Sequence, residues 1–326
     1  MRQTKLKRKT SELSGLLVAA TFATLLFACL AVASAAQQKG PELFSSPEQA
    51  SKAFAAAAQN NDEKALLEIL GPGARQIVSS GDPTADAQAR ANFARKYEEM
   101  HRFLKEPDDS VTLYIGAENW PVPIPLVMKG NSWLFDAEAG KREILFRRIG
   151  RNEYSAIRIC QELVAAQKEY YAMHNEYAKQ IYSDEGQRNG LYWKVSGDEP
   201  QSPIGPLVAS AVAEGYVKSK GGPPTPYHGY FFHALTRQGK DATGGAKSYT
   251  VSGRMTEGFA FVAYPAEYRS SGVMTFVVNQ DGVVYQKELG KKTGTLGKSM
   301  QEYDPDSSWS KAEDLASFGA GPNSAQ

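Results

Sequence analysis

Residues 152–178 read NEYSAIRICQELVAAQKEYYAMHNEYA, and this stretch decides the architecture of the chain. Apolar and small side chains recur at spacings of three and four, and the same phase extends back to Leu145 and forward to His174. This period is typical of one helix face. The pattern predicts a continuous helix of roughly 35–40 residues over 139–175, about 55 Å long. Gly150 costs about 1 kcal/mol there relative to Ala, so a kink or break is the alternative.

The chain after this helix has the pattern of an antiparallel sheet. A short helix is predicted near 207–213, and Asn279-Gln280-Asp281-Gly282 is a hairpin turn between two apolar runs. Clusters of Gly, Pro and Ser separate four segments that are rich in aromatic and β-branched residues. These predicted strands are 227–235, 258–264, 273–278 and 283–285.

The chain before the long helix combines helices with a smaller sheet. Helices are predicted to begin at Ser46-Pro47, after Asn61-Asp62 and after Asp82-Pro83. We expect the third helix to continue through Met100 to Leu104, because the apolar spacing continues that far. The predicted fold class is α+β, with N-terminal helices and a small antiparallel sheet, a long central helix and a C-terminal antiparallel sheet. The predicted strands of the first half are 111–115, 126–128 and 133–135.

The first 36 residues have the features of a secretory signal peptide. Five basic residues precede an apolar run, and Ala33-Ser34-Ala35 supplies small residues for cleavage. A membrane anchor and a lipid anchor at Cys29 are the alternatives. The prediction is therefore an exported protein, periplasmic or secreted, without a stable membrane span after cleavage. The predicted organisation is 1–36 signal peptide, 42–140 N-terminal domain, 141–315 long helix with the C-terminal sheet, and 316–326 flexible tail.

Charge and cysteine content narrow the function. The full chain has 37 basic and 36 acidic residues, and residues 1–36 contain five of the basic residues and one of the acidic residues. The mature chain would therefore have 32 basic and 35 acidic residues, a net charge of −3. A nucleic-acid-binding protein would show a basic patch or stripe, so this net charge argues against that class, and no nucleic-acid partner is expected. Cys160 is the only cysteine after the predicted cleavage site, so no intramolecular disulfide is expected in the mature chain.

The reactive residue types do not form a recognisable catalytic pattern. Cys160 and His174 lie fourteen residues apart on the predicted helix, about 21 Å of rise, so they cannot act as nucleophile and base together. His228 and His233 are five residues apart on a predicted strand, which places them on opposite faces and argues against a shared metal. No catalytic, cofactor-binding or metal-binding residue is predicted, and no cofactor is expected.

Two further segments have simpler interpretations. Residues 292–299 read KTGTLGKS, which ends like a phosphate-binding loop but has Lys292 where that motif needs Gly. A flexible loop is predicted there. Asp304 and Asp306 are predicted to bond the backbone of their own turn rather than a cation.

Four aromatic side chains are the candidate recognition residues. Exposed together, they would form a binding surface, whereas buried they would belong to the core. The four residues are Trp120, Trp133, Tyr192 and Trp193.

Two resemblances follow from these residues. The segment 152–178, with PYHGYFFHALT at 226–236 and the run at 257–285, resembles the packed helix and antiparallel sheet of type IV pilins and pseudopilins. Pilins carry that helix at the mature N-terminus, whereas here it is internal, so assembly through such an N-terminus is not implied. The first half loosely resembles the cone-shaped folds of the nuclear-transport-factor type.

The mature chain from about Phe44 to Trp309 more closely resembles an exported bacterial family known as domain of unknown function 2950 (DUF2950). The phrases that carry this resemblance are NWPVPIPLVMKGNSWLFDAEAGKREI at 119–144, RRIGRNE at 147–153, YFFHALTRQG at 230–239 and YDPDSSW at 303–309. The resemblance implies no activity or cofactor.

Two functions remain open from sequence alone. The preferred one is a non-catalytic binding or assembly module of the cell envelope, whose partner is an envelope protein or a small ligand. The alternative is a periplasmic enzyme or small-ligand binder with a pocket in the N-terminal domain.

Overall fold

The computed structural model describes residues 40–195, 200–216 and 224–312. The predicted signal peptide, Cys29 and the predicted tail at 316–326 lie outside these residues. The described residues contain seven α-helices and several antiparallel sheets, which confirms the α+β class. The helices are α1 Pro47–Gln59, α2 Glu63–Leu70, α3 Arg75–Val78, α4 Pro83–Glu99, α5 Ala137–His174, α6 Gly205–Ala213 and α7 Thr293–Ser299.

The first half is built from α1–α4 and a five-stranded antiparallel sheet. Its strand order is β1-β2-β4-β5, with β3 paired to β2. A tight turn joins β4 to β5, since Lys129 pairs with Ser132 across Gly130 and Asn131. The strands are β1 His101–Lys105, β2 Val111–Ile115, β3 Trp120–Pro121, β4 Leu126–Lys129 and β5 Ser132–Phe135.

The second half contains the larger antiparallel sheet. Its strand order is β17-β15-β14-β13-β8, so β8 is an edge strand. The four predicted strands correspond to β8, β13, β14 and β15 and pair antiparallel, as expected. The strands of this half are β6 Gln180–Tyr182, β7 Gly190–Tyr192, β8 Tyr230–Leu235, β9 Arg237–Gln238, β10 Lys247–Ser248, β11 Thr250–Val251, β12 Arg254–Met255, β13 Ala260–Pro265, β14 Met274–Asn279, β15 Val284–Glu288, β16 Glu302–Tyr303 and β17 Ser310–Lys311.

The long helix α5 is continuous through Gly150, as predicted. Asp136 caps its start by accepting a hydrogen bond from the Ala139 N–H at 3.1 Å, and Asn175 ends it in the left-handed conformation. Its first part contacts α3, where Arg148 donates to the carbonyls of Gln76 and Ile77. Its second part packs across β13, β14 and β15. The helix therefore contributes to both halves of the chain.

The described residues form two hydrophobic cores, one in each half of the chain. The first contains Leu113, Leu126 and Phe135 of the smaller sheet and the buried faces of α1 and α2. The second contains Cys160 and Leu163 of α5 and the inner faces of β13 and β14. The division into domains at residues 140 and 141 stays a prediction.

Two elements differ from the sequence-based prediction. The third helix, α4, ends at Glu99 rather than continuing to Leu104, because His101–Lys105 pairs along its whole length with β2. Strand pairing therefore prevailed over the local helical spacing. Residues 293–299 form α7 rather than a loop, and its buried Gly297 lies directly against the ring of Tyr264 on β13. Glycine has no side chain, which allows the backbone of α7 to approach the ring so closely.

Candidate functional site

The short helix α6 is the most unusual element of the second half. Its sequence, GPLVASAVA, is apolar on every side apart from Ser210, yet none of its residues is fully buried. A helix that is apolar all round is normally enclosed by protein. Here α6 lies between two cavities instead, so it separates two candidate binding sites.

The larger cavity has a volume of about 730 Å³. Its walls come from α5, α6, the β6–β7 pair and the edge strand β8, and most of the side chains are aliphatic or aromatic. Ligand pockets in proteins typically have volumes of about 300–1,000 Å³ and apolar walls. The apolar wall residues include Ile159, Leu163, Ile181, Leu207, Val208, Phe231 and Phe232.

Strand β8 contributes both of its faces to this cavity. Side chains alternate between the faces of a strand, so Phe231 and His233 point to one side, and Phe232 and Ala234 to the other. All four line the cavity, which therefore follows the edge of the sheet. Strand β6 lies beside this edge.

Among the described residues, every ionisable side chain that lines the larger cavity is basic, apart from the tyrosines. Lys179 and Lys298 line it from the loop before β6 and from α7, and His233 lines it from β8. No described wall residue is Asp or Glu. The Lys179 ammonium donates to the Gly253 carbonyl, and His233 Nε2 lies 3.0 Å from the Met300 carbonyl oxygen. Both lysines are exposed at the surface, so the cavity combines mainly apolar walls with basic side chains that reach solvent.

Tyrosine hydroxyls supply further polar atoms to these walls. Burial, followed by the charge of the Glu214 carboxylate, raises the pKa of Tyr227 to about 12. Burial, followed by the charge of Asp82, also raises the pKa of Tyr216 above its ordinary value. Both phenols therefore stay protonated at neutral pH. The Tyr216 hydroxyl donates to Asp82 at 3.0 Å.

The smaller cavity, about 570 Å³, has the opposite charge. Glu162, Glu169 and Glu214 line it together with Arg158 and His228. His228 Nε2 lies 3.2 Å from a Glu214 carboxylate oxygen at the end of α6. Acidic groups therefore outnumber basic groups on this side of the helix. The two cavities share Ile159, Ile204, Leu207 and Tyr227.

The four predicted recognition residues divide between the two cores. Tyr192 lines the larger cavity. Trp193 is 5 % exposed and packs edge-on against Tyr170 and His174, with centroid distances of 6.4 and 6.2 Å. Trp120 and Trp133 pack against the first core. The structure therefore does not group the four side chains together, and their role in recognition stays a prediction.

The other sequence candidates occupy separate places. Cys160 is 0 % exposed, and burial raises the pKa of its thiol to about 12, so it remains a protonated core side chain. His174 lies at the far end of the same helix. His228 precedes β8 in a turn with φ of +47°, rather than lying on the strand with His233. Asp306 accepts a hydrogen bond from the Ser308 N–H at 2.8 Å, within its own turn, as predicted. Asp304 differs from the prediction, since it accepts the Asp241 N–H at 2.8 Å from another loop.

Sequence reasoning did not identify the cavity residues as a group. Lys179, Lys298 and Phe232 are far apart along the chain, and each has an ordinary local pattern. One signal was present: the run GPLVASAVA lacks the polar face of a surface helix. Both described cavities lie in the second half, whereas the alternative function placed a pocket in the first.

The described residues contain neither a candidate metal cluster nor a helix that could cross a membrane. In the ranges 40–195, 200–216 and 224–312, no three His, Cys, Asp or Glu side chains are grouped so as to hold a metal ion. Within the same ranges, no helix is long and apolar enough to cross a membrane.

Comparisons with known proteins identify a family. No curated protein and no solved structure matches this chain. A model of the family described as "Protein of unknown function (DUF2950)" matches residues 41–312, which is most of the chain. The chain therefore belongs to the DUF2950 family.

Proposed function

We propose that this protein is an exported, non-catalytic binding module of the cell envelope, and that it holds an apolar ligand in the larger cavity. The signal-like residues 1–36 support export to the periplasm or the exterior. The observation that carries the binding role is the 730 Å³ cavity between α6 and the edge of the sheet, whose walls are mainly apolar.

Packing physics supports a ligand-binding role for this cavity. Protein interiors are close-packed and contain few voids larger than a water molecule. A cavity of this size beside an incompletely buried apolar helix leaves Leu207 and Val208 only partly buried, although both pack against the second core. An apolar ligand would gain roughly 25 cal/mol for each Å² of apolar surface removed from water.

The state of the reactive side chains supports binding rather than catalysis. Cys160 is buried and its thiol is protonated at neutral pH, whereas the thiolate is the nucleophilic form. His233 contacts a backbone carbonyl, and His228 pairs with Glu214. These contacts give each of the three side chains a structural role.

The resemblance to pilin heads supports binding more than polymerisation. In this chain α5 packs across an antiparallel sheet, and the sequence resemblance to pilin heads implies an arrangement of this kind. The helix is internal, preceded by the whole first half, so it does not present the free N-terminal segment through which pilins assemble.

A fluorescence titration of the purified full chain with the neutral apolar dye Nile red tests this function. Ala211 lines the larger cavity, whereas Ala213, two residues later on α6, is exposed and does not. We expect the wild type and Ala213→Trp to bind the dye, and Ala211→Trp to bind at least about tenfold more weakly, because its indole would fill the cavity.

Two results would overturn the proposal. One is that the wild type does not enhance the fluorescence of the dye. The other is that Ala211→Trp binds as well as Ala213→Trp while circular dichroism shows both variants folded, since the dye would then bind elsewhere.

A further inference from the structure

We infer that the ligand of the larger cavity is a single-chain amphiphile, with an apolar tail and an anionic head group such as a carboxylate. This inference rests on the proposed function and names the class of ligand. The tail would contact the apolar walls, and the head group would lie near Lys179 and Lys298.

The apolar surface of the cavity is suited to a flexible chain. Ile159 and Leu163 come from α5, Leu207 and Val208 from α6, and Phe232 from β8. These side chains line the cavity from three elements, and the cavity follows the edge of the sheet. Aliphatic contacts of this kind favour any apolar tail, because the hydrophobic effect is non-directional and does not require one tail shape.

The basic side chains that line the larger cavity favour an anionic head group. Lys179, Lys298 and His233 all line this cavity, and no acidic side chain of the described residues does. The mature chain has a predicted net charge of −3, so a cavity with only basic charges differs from the average surface of the protein. Three glutamates line the neighbouring cavity and would repel an anion there. An anionic head is therefore attracted to the larger cavity rather than to its neighbour.

Other occupants fit less well. An extended peptide could add to the free edge of β8, as happens at exposed sheet edges. Strand β6, Gln180–Tyr182, lies beside that edge and would obstruct the added strand. A cationic amphiphile would meet two lysines and no carboxylate.

Three probes with the same dodecyl tail separate these possibilities. Laurate, dodecanol and dodecyltrimethylammonium are titrated into the purified full chain by calorimetry, below their micelle concentrations. We expect laurate to bind about tenfold more tightly than dodecanol, because two partly solvated charge contacts are each worth roughly 0.2–1 kcal/mol. Dodecyltrimethylammonium should bind most weakly.

A double substitution tests the assignment of the lysines. Lys179→Met combined with Lys298→Met keeps the apolar stems and removes the two charges. We expect laurate affinity to fall about tenfold while dodecanol affinity stays unchanged. Lys291→Met combined with Lys292→Met is the matched control, since it removes two exposed lysines next to α7 that do not line the cavity.

The outcomes distinguish this inference from the proposed function. If dodecanol binds and is blocked by Ala211→Trp, but laurate binds no more tightly, the anionic class is wrong and the binding function stands. Preference for dodecyltrimethylammonium, or equal losses in the two double variants, also overturns the inference. If none of the probes nor Nile red binds, both proposals fail.

Discussion

The phenol of Tyr216 donates a hydrogen bond to a carboxylate oxygen of Asp82 at 3.0 Å, across 134 residues of sequence. The same oxygen accepts the Gly229 N–H at 2.8 Å. The other oxygen caps α4 by accepting the Ala85 N–H at 3.1 Å. Asp82 is 0 % exposed. One buried carboxylate therefore joins the helices of the first half to the cavity-bearing second half.

Tyr216→Phe should lower the free energy of unfolding by about 1.5–3 kcal/mol, because a hydrogen bond to a charged acceptor is lost inside the protein. Urea unfolding at neutral pH, followed by circular dichroism, measures this. Tyr154→Phe, at a tyrosine that is 40 % exposed, is the control and should change stability by less than about 0.5 kcal/mol. Equal effects of the two substitutions would contradict the importance of the Asp82 contact.

The same tyrosine predicts how stability depends on alkaline pH. Burial raises the pKa of Tyr216 in the folded state, whereas in the unfolded chain it titrates near its ordinary value of about 10. Above that pH the unfolded state binds fewer protons, so stability falls as pH rises. Tyr216→Phe should reduce this slope by about 1 kcal/mol per pH unit between pH 10 and 11, where the unfolded tyrosine passes from half to nearly full ionisation. Unfolding midpoints across that range measure the slope, and an unchanged slope would show that Tyr216 ionises normally in the fold.

Gly297→Ala should destabilise the second half. A Cβ at this position would collide with the ring of Tyr264 and push α7, which carries Lys298, away from β13. Overpacking of this kind costs about 1–3 kcal/mol. Gly294→Ala is a matched control on the same helix, since its Cβ would meet no atom within 4 Å. Thermal unfolding should show a lower midpoint for Gly297→Ala only. The opposite order would refute the close contact between Gly297 and the ring of Tyr264.

Gly150→Ala should stabilise the protein. A Cβ there would meet nothing within 4 Å, and Gly150 lies inside the continuous helix α5. Alanine is favoured over glycine in a helix interior by about 1 kcal/mol. Urea unfolding should therefore shift to higher denaturant concentration. A loss of stability would mean that the helix depends on the conformational freedom of glycine at this point.

Local patterns predicted most of the elements. The spacing of three and four around Cys160 and Leu163 predicted α5, because helical periodicity is a property of residues close in sequence. The turn at Asn279–Gly282 predicted the hairpin of β14 and β15 for the same reason. The prediction failed at Leu104, where pairing with a distant strand prevailed over helical spacing.

The sequence by itself determined the long helix, the antiparallel strands, the signal-like N-terminus and the resemblance to the DUF2950 family. These properties depend on periodicity, turn chemistry and residue order, which are local. Only the tertiary structure decided that Asp82 meets Tyr216 and that Lys179 and Lys298 line one apolar cavity. A cavity arises where elements distant in sequence fail to pack closely, and no local pattern records how they pack.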